Sequence, residues 1–414
     1  MSSMIKSHLS IFNSFGIYTL SNIVIAASTF AIIPFMTRYL DFESLGYIFL
    51  FQTMLSIFFI FISLGAQSII QIEYHQSFNN IRSYISSSII NSFICCIILC
   101  IFIFFNTNLF KVFFNEEHSV VFIASLFCFL LYFQNLIQGL LQTMQAAKYY
   151  AFLAIGTAII SAVFSVLYLI YIDTHWHSRI WGILAGYVFS GIVCITFLAN
   201  FNLKLPTIEG MKHMLLVGYP VIFHSLSMLM INQSDKILIG ALLDQSAVGA
   251  FGVPAQLASA ISVIGSGMAM AYAPKLYSAL SSKNSKELKS LSRIRNMIML
   301  ALALIGIGIG ITLFFFKSLI LGNNFIFYYD VFFILITSYV LFGFYHLFSP
   351  YYYFYKKTKI LSSITSLIAI LNIVFTYFLI PIFGILGAAL GTLMSYFLGL
   401  IIAIIYTNMI FKKI

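Results

Sequence analysis

Long apolar runs, separated by short polar stretches, recur from one end of the chain to the other. A helix needs about 20 mostly apolar residues to cross the roughly 30 Å hydrocarbon layer of a bilayer. Twelve runs meet that length, near 11–36, 46–70, 85–105, 119–143, 151–172, 180–201, 214–241, 247–273, 296–316, 330–354, 361–383 and 387–410. The connections are short, the longest expected loop being Lys275–Arg295, so no extramembrane domain is expected. The first run follows a polar stretch, Met1–Ser10, that carries Lys6. It is longer than the apolar stretch of about 7–15 residues in a secretory signal, and reads as a first span.

Composition removes the alternatives. Of the 414 residues 61% are hydrophobic and 8% charged, with a mean hydropathy of +1.03. A soluble domain carries about 25% charged residues, and disordered chains and coiled coils also depend on charge. The net charge of +10 suggests nucleic acid until its distribution is read. With the N-terminus in the cytoplasm, sixteen of the 21 Lys and Arg fall on the cytoplasmic side. Arg38, Lys111, Arg179, Lys236 and Lys317 lie outside or in the membrane, with eight of the 11 acids. This positive-inside pattern places both termini in the cytoplasm and makes anionic lipid, not nucleic acid, the partner of the basic loops. Trp176 and Trp181 flank the outer end of the sixth run, as an interfacial belt would. The five cysteines (Cys95, Cys96, Cys100, Cys128, Cys194) sit in apolar runs with no metal-ligand spacing and read as packing residues.

Slid by 203 residues, the chain matches itself over one segment. Leu40-Asp41-Phe42-Glu43-Ser44-Leu45-Gly46 lies against Leu243-Asp244-Gln245-Ser246-Ala247-Val248-Gly249, each between the first and second run of a half. Gly182 and Gly186, then Gly387 and Gly391, open the last run of each half with equal spacing. The fold class expected is therefore all-α integral membrane: twelve transmembrane helices in two six-helix lobes, 1–210 and 211–414. Six is even, so the pseudo-two-fold runs along the membrane normal, with a site between the lobes.

Thr37-Arg38-Tyr39-Leu40 followed by Gly46-Tyr47 resembles the first-helix exit of polysaccharide-type flippases. So does the series Gly218-Tyr219-Pro220, His224-Ser225-Leu226-Ser227, Asn232, Ser234-Asp235-Lys236, Val248-Gly249-Ala250 and Gln256-Leu257-Ala258. On these residues the chain is similar to the multidrug/oligosaccharidyl-lipid/polysaccharide superfamily, and most to O-antigen (Wzx-type) flippases. The resemblance covers the whole chain in topology and only these stretches in sequence. Lys236 stands where that family commonly has arginine, and Ala250 where tyrosine is common. The resemblance implies a flippase in the bacterial cytoplasmic membrane. It would move an undecaprenyl-pyrophosphate-linked oligosaccharide from the inner to the outer leaflet, alongside other polysaccharide-assembly proteins.

Polar residues inside the runs are the candidate machinery. In the seventh run Gly218, Ser225, Asn232 and Lys236 share a narrow sector of the helical wheel, with His224 and Asp235 in the next. Asp235 and Lys236 point about 100° apart and do not pair with each other. Lys236 is read as a cation on a cavity wall or as a lysine snorkelling to the headgroups. The first run offers Ser14, Ser21 and Ser28 beside Asn22 and Thr29. The second offers Gln52, Ser56, Ser63 and Gln67 on one face, and the fourth a row of Gln134, Gln138, Gln142 and Gln145. Such a row is costly against lipid and suits a wetted surface. Arg38 and Lys236, with His224, Asn232, Ser225, Asn22, Gln52, Gln138 and Gln142, are the candidate lining for an anionic headgroup. Asp235 is the candidate coupling acid for H+ or Na+ as counter-ion, and Pro34 and Pro220 are hinge candidates.

Two rivals share these features. A cation-coupled multidrug and toxin exporter on the same fold calls for buried acids, and the first half holds no carboxylate well inside a run. A polysaccharide polymerase or lipid-linked glycosyltransferase calls for a large, charged outer loop, and the outer loops are short. A flippase for another undecaprenyl lipid, such as a cell-wall or teichoic precursor, fits as well as O-antigen does. No phosphate-binding loop, zinc-protease pair or serine elbow occurs, so neither an enzyme nor a cofactor or metal is expected.

Overall fold

The computed structural model describes residues 2–76, 80–110, 118–282, 285–323 and 325–412, of which 2–16, 109, 118, 224, 285 and 410–412 are described by backbone alone. The side chains of Lys6, Ser14, His224 and Lys412, and all of Lys111, Glu116, Glu117, Lys283 and Lys413, lie outside the described residues. The rest forms helices: α1 (Ser2–Tyr39), α2 (Phe42–Ser63), α3 (Ala66–Gln76), α4 (Ile81–Phe105), α5 (His118–Thr143), α6 (Ala147–Tyr171), α7 (His177–Asn200) and α8 (Ile208–Leu242). There follow α9 (Gln245–Ala258), α10 (Ala260–Ser282), α11 (Ser285–Leu321), α12 (Tyr329–Phe354), α13 (Thr358–Phe383) and α14 (Ile385–Lys412). Twelve stretches among the described residues are long and apolar enough to cross a membrane, and each overlaps one of the twelve runs read from the sequence.

The 203-residue repeat is a capping motif. Asp41 Oδ1 accepts from the Ser44 amide at 2.9 Å, and Asp244 Oδ1 from the Ala247 amide at 2.7 Å. Each aspartate satisfies an amide that the first helical turn would leave unpaired. The glycine closing each motif serves a close approach. A Cβ on Gly46 would strike the Gln245 carbonyl, and one on Gly249 the Phe42 carbonyl.

Four expectations need correction. The stretch 275–295 is not a loop: α10 runs to Ser282 and α11 starts at Ser285, its first turns carrying Lys286, Glu287 and Lys289. Those residues are good helix formers, and charge only ends the membrane portion, not the helix. The second run is broken at Leu64 and Gly65, with φ of 50° and 69°, so Gln67 sits on α3 and does not continue the Gln52 face of α2. Gln145 is likewise outside the glutamine row, because α5 ends at Thr143 and Gln145 takes φ 55° in the following turn. Trp176 is buried against Tyr47, ring centroids 5.1 Å apart, and only Trp181 is exposed as a belt residue would be.

Contacts divide the chain into two compact units, Met1–Leu40 with Tyr47–Leu226 and Asp41–Gly46 with Ser227–Ile414. In unit 1, α6 packs against α1 and α7, while α5 packs against α3, α4 and α7. The start of α8 joins this unit: Asn91 Nδ2 donates to the Met211 carbonyl at 3.0 Å, and Gly218 lies on the Leu64 carbonyl. In unit 2, α14 packs on α12 and α13, with Tyr352, Tyr396, Phe342 and Ile368 at the centre. Helix α11 turns an apolar stripe outward, Leu300, Leu304, Ile307, Ile311 and Phe315, at the spacing of one helical face. Lipid is as apolar as such a stripe, so helices here are held by close packing and internal hydrogen bonds more than by apolar burial.

Candidate functional site

Unit 2 holds a buried carboxylate among hydroxyls and amides. Asp235 on α8 is 7% exposed. Its Oδ2 accepts from the Thr392 hydroxyl at 2.9 Å and its Oδ1 from the Thr376 hydroxyl at 3.3 Å. Behind them Asn372 Nδ2 donates to Thr392 Oγ1 at 3.2 Å and to Ser395 Oγ at 3.4 Å. The Asn372 carbonyl oxygen in turn accepts from the Ser234 hydroxyl at 2.7 Å. Three helices converge here because Gly387 and Gly391 bring α14 onto α13; a Cβ on Gly391 would strike Thr376. Lys236 does not enter this network. It is half-buried and its Nζ donates to Gln233 Oε1 at 2.7 Å. An oxygen-rich pocket around one carboxylate offers what a proton or a hard cation such as sodium binds. Among the described residues, no three His, Cys, Asp or Glu side chains are grouped to hold a metal ion.

Two polar recesses of unit 1 are lined, among the described residues, without lysine, arginine or carboxylate. The larger, about 620 Å³, is lined by Ser68, Gln71, His75 and Gln76 of α3, Gln142 and Thr143 of α5, and the apolar Ile72. Gln71 Nε2 donates to Gln142 Oε1 at 3.0 Å and approaches the Gly139 carbonyl at 3.4 Å. A smaller cavity of about 120 Å³ includes Ser63, Gln67, Asn135 and Ser225 in its wall. Among the described residues of unit 1 the buried acid is Glu73, whose Oε1 lies 2.7 Å from His213 Nε2, and the His213 ring stacks on Tyr84.

The other sequence candidates are spread more widely. Arg38, on the last turn of α1, and Asn22 are exposed, and Gln52 and Gln138 are half-buried. Asn232 is exposed and its Nδ2 returns to the Met228 carbonyl of its own helix at 2.7 Å. Ser21, Ser28 and Thr29 bond to carbonyls one turn back on α1, which suits helix packing. Pro34 and Pro220 lie within continuous α1 and α8; the non-helical backbone inside a helix falls instead at Phe316.

The residues missed were the partners. Asn372 and Thr376 stand one turn apart on α13, and Thr392 follows the Gly391 that the sequence had singled out. A polar pair at that spacing facing a glycine helix was the available signal. Gln71 and His75 carry the same one-turn spacing on α3.

Twelve candidate spans carrying buried polar clusters make this an all-helical integral membrane fold. Solved structures agree on that fold. An inward-facing multidrug resistance MATE family transporter of the MOP superfamily matches at 16% identity over 95% of this chain and 94% of its own, with TM-score 0.70. A lipid II flippase, MurJ, in an inward closed conformation matches at 15% identity over 94% of this chain and 87% of its own, with TM-score 0.73. The polysaccharide biosynthesis protein family matches residues 11–279, and the chain belongs to that family. A Haemophilus influenzae protein called Lsg locus putative protein 1 is 25% identical over 292 residues, 66% of this chain and 68% of its own.

Proposed function

We propose that this protein is a flippase for an undecaprenyl-pyrophosphate-linked oligosaccharide, an O-antigen or related surface-polysaccharide repeat unit. In this reading it carries the headgroup from the inner to the outer leaflet of the bacterial cytoplasmic membrane, with both termini cytoplasmic. The family match across residues 11–279 carries the proposal. The physical task is to move a pyrophosphate and its sugars across about 30 Å of hydrocarbon while the lipid tail stays in the bilayer. An isolated ion in so apolar a medium costs tens of kcal/mol by the idealised Born argument. Positive charge and polar groups must replace water along the path. Arg38, Lys236 and His224, with Ser225, Asn232, Asn22, Gln52, Gln138 and Gln142, are assigned that lining.

Outward movement of negative charge is favoured by about 2.3 kcal/mol per charge per 100 mV, so no nucleotide hydrolysis is needed. Entry of H+ or Na+ at Asp235 is assigned the resetting step. Export of cationic drugs on the same fold is the poorer reading, because Glu73, the buried acid among the described residues of unit 1, is already paired with His213.

Reconstituted protein should move the fluorescently tagged lipid-linked oligosaccharide across vesicles. Cells lacking the protein should lose surface polysaccharide and regain it on complementation. No movement in vesicles, or polymerisation of the repeat unit by the purified protein, overturns the proposal. Normal surface polysaccharide with Lys236→Ala or Arg38→Ala removes that residue from the lining.

A further inference from the structure

We infer that the recess of about 620 Å³ between α3 and α5 is a neutral-sugar subsite, which holds the saccharide and not the pyrophosphate of the cargo. The inference rests on the flippase reading and divides the cargo between parts of the protein. Among the described residues no Lys, Arg, Asp or Glu lines the recess; three glutamine amides, two hydroxyls and one imidazole do. A pyrophosphate calls for lysine, arginine or backbone amide donors, and the recess is lined by none of the charged ones among the described residues. A sugar hydroxyl is both donor and acceptor, and a carboxamide answers with two donors and an acceptor oxygen.

The Gln71–Gln142 bond at 3.0 Å fixes both amides and leaves the Gln71 carbonyl oxygen available to a hydroxyl donor. An amide pair already bonded to each other loses little freedom when a sugar arrives. The volume falls within the roughly 300–1,000 Å³ of ordinary ligand sites. The recess lies at the end of unit 1 formed by the C-termini of α3 and α5. By the positive-inside reading that end is cytoplasmic, where the cargo is made.

Ile72 supplies a reporter. It lines the recess, is 50% exposed and makes no polar contact a sugar would need. In Ile72→Cys protein held in lipid nanodiscs, maleimide labelling is followed against a wild-type background from the five natural cysteines. Undecaprenyl-pyrophosphate oligosaccharide extracted from the producing cells should slow labelling several-fold, and undecaprenyl pyrophosphate alone should not. Adding Gln71→Leu or Gln142→Leu should raise the concentration that protects by about fivefold each, as expected for one neutral hydrogen bond. His75→Ala, at an exposed position, repeats the test without disturbing the amide pair. Equal protection by both lipids overturns the subsite, as does transport of the oligosaccharide lipid in vesicles without any protection of Cys at 72. Either result leaves the flippase reading intact. Neither transport nor protection brings down both.

Discussion

Helices α6 and α7 in unit 1 and α13 and α14 in unit 2 are built on one plan and loaded with opposite charge. On α7, Gly182 sits on Ser165 and Gly186 on Thr157 and Ser161. On α14, Gly387 sits on the Leu379 backbone and Gly391 on Thr376. In both pairs missing side chains let backbones meet, which is how helices associate where lipid removes the apolar drive. Yet the first pair encloses a cation. Arg179 Nη1 donates to Ser161 Oγ at 3.1 Å and Ser165 Oγ at 2.9 Å, its partners among the described residues. The second pair receives an anion from a third helix, Asp235 of α8, and supplies it with donors. Arg179 is anchored on one of the paired helices themselves, whereas Asp235 arrives on a helix whose two ends belong to different units. That difference makes the cation a structural tie and the anion the better candidate for a switch.

The shared plan predicts the largest effects. Gly182→Leu and Gly391→Leu each drive a side chain into the facing helix, and each should cost more than about 4 kcal/mol. The measurement is loss of monodisperse protein on size exclusion in detergent. If one position accepts leucine and the other does not, the pairs are alike only in outline.

The opposite charges predict a split. Asp235→Asn keeps the shape and lets the Thr376 and Thr392 hydroxyls bond a neutral partner, so the melting temperature should change little while transport in vesicles falls to background. Arg179→Met should do the reverse, because it removes both bonds from the guanidinium to α6 and leaves the Asp235 network untouched. Transport then persists in a less stable protein. Equal loss of transport in both variants would end the distinction between tie and switch.

What could be read in advance follows the same division. Span number, the glycine pairs and the aspartate motif are local: length, spacing and a capping residue act within one helix or turn. The Asp235 pocket is not local, since Asn372, Thr376, Thr392 and Ser395 are single polar residues in apolar runs and only folding brings them to α8. The break at Leu64 was hidden for another reason: beside it Gly65, at φ 69°, leaves no room for a side chain against Val221 of α8, a contact distant in sequence. The caps sharpen the likeness of the halves further. Asp41→Ala and Asp244→Ala should each lower stability by about 1 kcal/mol, read as a melting shift, because each removes one side-chain bond to a first-turn amide.

The smallest effect tests whether the hydroxyls on the two sides do the same job. Ser165→Ala removes one acceptor from Arg179, and Thr392→Val removes one donor from Asp235. Interhelical hydrogen bonds within membranes average about 0.6 kcal/mol, so either change alone should be small in a melting curve. A double-mutant cycle separates them. With Asp235→Asn in place, Thr392→Val should lose part of its cost, since its partner no longer carries charge. With Arg179→Met in place, Ser165→Ala should lose nearly all of its cost, since no guanidinium remains to donate to the hydroxyl oxygen. Coupling of one size in both cycles would mean that the carboxylate is held as firmly as the guanidinium. Weaker coupling at Asp235 would fit a group that must exchange its hydroxyl partners for a proton or a sodium ion.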